Sequence, residues 1–191
     1  MIQSNAVDKR TNQVTASVCA PILTQAVLAQ AILAIQRMSQ HEKLQLGDEL
    51  YLHQPNLLGS VLVLNRSFGA SLQQIEPMIE ILMTTWQAMK ISCRQWPLIT
   101  EQLQDDCLQR LAAKMHFSQG VSGTLREQAL QQHIDSHPEP YLLALVHEEL
   151  YKQGWDRINN GTVKHIVLVA LSLVECVAAA ALEVNQESRA R

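Results

Sequence analysis

The chain has 191 residues, 47% of them hydrophobic but only 4% aromatic, and its formal net charge is −3. That length suits a single large domain, with a core that must be built from Leu, Ile, Val, Ala and Met. No basic surplus is available to neutralise phosphates, and the 15 Lys and Arg are scattered, which argues against a nucleic-acid partner.

Cys19, Cys93, Cys107 and Cys176 are far apart and form no CxxC pair. Each falls in an apolar helical stretch, so the expectation is buried, reduced thiols in a reducing cytoplasm, with no disulfide framework and no zinc.

In chain order, residues 1–14 read as a flexible polar tail, 15–186 as one all-helical domain and 187–191 as a second tail. Lys9-Arg10 ahead of Val14 to Ala31 has the outline of an export signal. Thr15, Ser17, Pro21, Thr24 and Gln25 interrupt the apolar run, so export is not expected. Between Ser17 and Gln40, the positions Val27, Leu28, Ala31, Ile32 and Ile35 recur at helical spacing, with Pro21 suited to a first turn. His41 to Gln54 reads as a short helix or a loop broken at Gly47-Asp48. Asn56 looks like the N-cap of a helix running to Phe68 and stopped by Gly69. Within it, Ser60 to Leu64 also has the composition of a strand, although no partner strand is found.

The clearest pattern follows Ser71. Leu72, Ile75, Ile79, Leu82, Trp86, Met89 and Cys93 alternate spacings of three and four, the seam of a helix packed along its length. Pro77 interrupts it, so a kink or a separate first turn is expected there. A further helix is expected from Pro97 to Ser118, with Leu103, Cys107, Leu108, Leu111 and Met115 inward and Gly120 closing it. Thr124 and Glu127 form a capping-box signature for a helix to Asp135. Pro138 and Pro140 start another, containing Leu142, Leu143, Leu145, Val146 and Leu150, with Gly154 as its stop. After a turn at Asn159-Asn160-Gly161, Thr162 is the expected cap of the last helix, to Asn185. The fold expected is therefore an all-α, single-domain bundle of six or seven helices.

On a wheel of about 100° per residue, Lys164, His165, Ser172, Glu175, Cys176 and Glu183 of that last helix share an arc of about 120° with a few apolar residues. The rest of its surface is apolar. Such a helix is either central to its bundle or covered by a second copy of the chain, and a homodimer through residues 163–185 is expected on that ground. Its seventeen most apolar residues, Ile166 to Leu182, reach only the lower limit for spanning a bilayer, and one-sided polarity speaks against a membrane.

Chemistry is sparse. His133 and His137 stand four apart, as in helical metal sites, and His147 could add a third ligand. Pro138 disfavours helix at His137, and neither Glu-x-x-His nor His-Glu-x-x-His occurs, so no metal or other cofactor is expected. Gly120-Val-Ser-Gly123 is one glycine short of a nucleophile elbow and reads as a turn. Residues 111–133 resemble a helix-turn-helix, with Ala112 at the small position and Arg126, Gln128, Gln131, Gln132 and His133 as possible base or phosphate contacts. The register is poor, because His116 falls where Gly is common and Ser122 where an apolar anchor belongs. Trp86, Trp96, Met83 and Met89 could line an interhelical pocket, or simply pack the core.

No catalytic constellation emerges, so the function expected is that of an interaction or regulatory bundle acting through a surface or groove, with a protein partner possible. The two alternatives are a small-molecule-binding or catalytic bundle and a DNA-binding regulator.

Overall fold

A computed structural model of the chain describes residues 20–118, 124–155 and 160–190, and among these there are eight helices and no strand. The helices are α1 (Gln25–Arg37), α2 (Gln40–His53), α3 (Pro55–Phe68), α4 (Leu72–Ile91), α5 (Glu101–Ser118), α6 (Thr124–Ser136), α7 (Pro140–Lys152) and α8 (Gly161–Ala190). The fold is all-α, as composition and spacing predict.

Local chemistry fixes most of the boundaries. Two reciprocal capping boxes open α2 and α4: Ser39 with Glu42, and Ser71 with Gln74. Gly69, at φ 67°, ends α3 in the left-handed conformation that glycine adopts without a Cβ penalty. The segment 40–53 is one unbroken helix, so Gly47-Asp48 is no break, and Ser60 to Leu64 is helical within α3.

Several boundaries differ from the sequence reading. α1 starts at Gln25 behind the cap Thr24, leaving Pro21 ahead of the helix. Asn56 does not cap α3; its side chain instead donates to the Ile99 carbonyl, and Pro55 supplies the helix's first position. α5 begins at Glu101, where the Thr100 hydroxyl accepts the Leu103 N–H, so Pro97 belongs to a connecting segment. Asn160 rather than Thr162 caps α8, accepting the Thr162 N–H on its side chain. α8 continues to Ala190, into the stretch expected as a C-terminal tail. α4 runs through Pro77 without interruption. Only one backbone bond is lost there, the one to the exposed Gln73, whose carbonyl water can reach. Residues 1–14, Cys19, Gly120, Ser122, Gly123 and the side chains of Met115, Thr124 and Glu127 lie outside the described residues.

Packing is organised around two helices. α4 lies against α1, α2, α3 and α7, and α8 lies against α3, α5 and α7. α3 and α7 thus join the two halves, while α6 sits on α7. One continuous apolar cluster results, with Leu23, Leu57, Leu64, Met78, Leu82, Met89, Leu142 and Ile166 essentially without solvent contact. Burying each such side chain contributes roughly 1.5–3 kcal/mol. α8 is long and apolar enough to cross a membrane, but more than half of its most apolar stretch is buried inside the protein, which is how a core helix is placed. Val163, Ile166, Ala170, Leu173, Val174 and Val177 face inward, and Leu168, Leu171, Glu175 and Ala179 are half-buried along the opposite side.

Candidate functional site: a tryptophan-lined cleft

The C-terminal ends of α2, α4 and α8 meet the segment that connects α4 to α5, and a cleft of about 560 Å³ opens between them. Its lining comes from all four: His53 and Gln54, then Trp86, Met89 and Lys90, then Arg94 to Pro97, and finally Glu183 and Val184. A volume of this size lies in the range of small-molecule and peptide sites.

The connecting segment holds its shape through fixed hydrogen bonds. Gln54, almost fully buried, donates from Nε2 to the Pro97 carbonyl at 2.8 Å and accepts the Ile99 N–H on Oε1 at 2.9 Å. Asn56 donates to the Ile99 carbonyl at 2.9 Å. The Trp96 indole N–H is shared between the Met89 carbonyl at 3.1 Å and Ser92 Oγ at 3.0 Å, which pins the ring to the end of α4. Cys93 reverses the chain at φ 52°, and its side chain is exposed. It is therefore not the last position of the α4 seam and not a buried thiol. Leu72, the first position of that seam, is also outside, at 79% exposure, because α4 has no neighbour over its opening residue.

Trp86 stacks on His53 with ring centroids 5.7 Å apart. Its Nε1 is buried and has no hydrogen-bond partner among the described residues. An unmade bond of this kind costs about 1–3 kcal/mol, so the cleft wall carries an unsatisfied donor. Lys90 pairs with Glu49 of α2. Trp86, Trp96 and Met89, candidate lining residues from the sequence, do line the cleft, whereas Met83 is packed inside the core. The sequence reading missed His53, Lys90, Arg94 and Glu183. Nothing in their local pattern marks them, because only the packing of α8 beside the ends of α2 and α4 brings them together.

A second group of ionisable residues surrounds the start of α7. Glu139 is buried, and its carboxylate accepts the N–H groups of Ile22 and Leu23, both at 2.9 Å, which ties the segment before α1 to α7. Burial raises its pKa against the pull of those two donors. His137 Nδ1 accepts the Glu139 N–H at 3.1 Å, and its other ring nitrogen is buried with no hydrogen-bond partner among the described residues. Burial lowers the pKa of His137, with Glu175 pulling it back up, and burial also lowers that of His147. His133 meets His137 edge-on at 5.7 Å. Among the described residues no three or more His, Cys, Asp or Glu are arranged to hold a metal ion. Cys107 of α5 and Cys176 of α8 are buried free thiols, and burial, with Cys107 beside it, pushes Cys176 up to about 12. None of these groups lines the cleft.

The helix-turn-helix resemblance at 111–133 covers α5 and α6. α5 packs mainly on α8 and α6 on α7, whereas a helix-turn-helix needs its two helices packed on each other. Gln128, Gln131 and Gln132 line a shallow surface depression on α6, and Gln131 donates to Asp135.

Comparison of the chain with protein-family models, with curated proteins and with solved structures finds no match.

Proposed function

We propose that this protein is a non-enzymatic interaction or regulatory bundle that works by recognising a ligand or a peptide segment in the cleft at the ends of α2, α4 and α8. The observation that carries this reading is the cleft itself: two tryptophans on a wall fixed by Gln54, Asn56 and the Trp96 N–H, with one indole donor unsatisfied. Rigid walls reduce the ordering cost of binding. The groups whose pKa burial shifts, His137, Glu139 and His147, lie away from the cleft, which favours recognition over acid–base catalysis there. Buried free thiols fit a cytoplasmic location.

The test is intrinsic tryptophan fluorescence and thermal unfolding against a panel of metabolites and short peptides. A ligand that binds only the native state raises the unfolding temperature by mass action. The expected result is a hit whose effect disappears in Trp96→Ala. Hits that persist unchanged in that variant would move the site elsewhere.

Self-association is a second reading, favoured by the half-buried Leu168 and Leu171 and by Leu182, 38% exposed, along the outer side of α8.

A further inference from the structure

The cleft holds more charge than the fold uses. Lys90 is matched by Glu49. Arg94 and Glu183 line the same cleft, are both exposed, and make no ion pair or side-chain hydrogen bond among the described residues, with each other or with anything else. Between them lie the apolar surfaces of Trp86, Met89, Trp96, Pro97 and Val184. A ligand bearing only a negative charge would sit beside an unmatched Glu183, and one bearing only a positive charge would sit beside an unmatched Arg94. A ligand carrying both charges on an apolar body satisfies the whole lining.

Resting on the recognition reading above, we propose that the cleft takes a zwitterion of the amino-acid class with an aromatic or bulky apolar side chain. Arg94 offers the carboxylate two parallel N–H donors from one planar group. Glu183 faces the ammonium, and the side chain lies against the tryptophans, where aromatic contact adds to area burial.

Isothermal titration with three probes of one shape tests this: L-phenylalanine, 3-phenylpropanoate, which lacks the ammonium, and 2-phenylethylamine, which lacks the carboxylate. L-Phenylalanine is expected to bind about tenfold more tightly than either analogue, the scale of one charged hydrogen bond. Arg94→Gln should weaken L-phenylalanine and 3-phenylpropanoate while sparing the amine, and Glu183→Gln should do the reverse. Both residues are exposed, and an unchanged thermal midpoint in buffer confirms that each variant folds. Equal affinities for the three probes, variants without effect, or no binding of L-phenylalanine would each overturn the zwitterion. If an analogue binds as tightly as L-phenylalanine and still depends on Trp96, the zwitterion falls and the cleft reading stands. If every ligand found for the protein ignores Trp96→Ala, the cleft reading itself falls.

Discussion

Leu82 and Leu72 occupy the same helical seam and differ completely in surroundings: Leu82 has no solvent contact, whereas Leu72 is 79% exposed. Truncating a fully buried leucine leaves a cavity and typically costs about 2–5 kcal/mol, while a surface change away from special features stays within about 0.5 kcal/mol. Urea unfolding of Leu82→Ala should therefore show a large drop in midpoint, and Leu72→Ala almost none. Equal losses would mean that the face of α4 is misplaced. Cys93 makes the same point through the backbone. A core cysteine replaced by glycine would lose apolar burial, but Cys93 is exposed at φ 52°, where a side chain is strained and glycine is not. Cys93→Gly should thus leave the midpoint unchanged or raise it, and a loss of more than about 1 kcal/mol would return Cys93 to the core. Three-four spacing identifies the middle of a seam well because each inner position is covered by several neighbours. The spacing does not say where the neighbours end, and both of its errors fall at the ends of α4.

At the scale of the element, what the sequence makes legible is the chemistry carried by residues close together in the chain. The stop at Gly69 and the helical identity of α1, α4, α5, α6, α7 and α8 follow from such signals, whereas Ser60 to Leu64 in α3 reads equally as a strand. The capping box of Ser39 with Glu42 was equally local, and it turns the doubtful segment after His41 into α2. Caps made by distant partners are not legible. Asn56 has the side chain of an N-cap, yet it serves the Ile99 carbonyl, and Gln54 gives both ends of its amide to the segment 97–99. That two-sided clamp sets the wall of the cleft, so Gln54→Ala should do two things at once. It leaves the half-buried Pro97 carbonyl and the buried Ile99 N–H unpaired, the latter at a cost of about 1–3 kcal/mol, and it loosens the segment that carries Trp96. The expected readout is a lowered unfolding midpoint together with a shifted tryptophan emission. A lowered midpoint with unchanged emission would show that Trp96 is held by Met89 and Ser92 alone.

For the whole molecule, the interior around α7 sets the pH response. Burial depresses the pKa of His137 and His147 from the usual 6.5, so below that value the unfolded chain binds more protons than the folded one. Stability carried by these two residues is complete above pH 6.5 and is lost as pH falls below it toward their lowered pKa values. Glu139 acts in the opposite sense, since its raised pKa makes the folded state bind the extra proton as pH falls toward 4.5. Replacing both histidines by glutamine should flatten the fall of the urea midpoint as pH drops below 6.5, and an unchanged slope would remove them as its source. His133, His137 and His147 stand out in the sequence, but the approach of His137 to Glu175 does not, nor does the shared place of Arg94 and Glu183 in the cleft, because both arise only through tertiary packing. The same holds for α8. Its apolar circumference is visible in the sequence, and it pointed either to a central helix or to a second subunit. In the fold, α3, α5 and α7 cover the side that carries Ile166, Ala170, Leu173 and Val177. What remains outside is a narrower stripe through Leu168, Leu171, Ala179 and Leu182, with Glu175 held to Lys114 of α5 at its centre. A two-fold axis across that stripe would bury the same residues twice. Light scattering should then report about twice 21.4 kDa, and Leu168→Glu with Leu182→Glu should return the mass to that of one chain. A wild-type mass of one chain at micromolar concentration would remove the dimer, and a dimer indifferent to both substitutions would move its interface off α8.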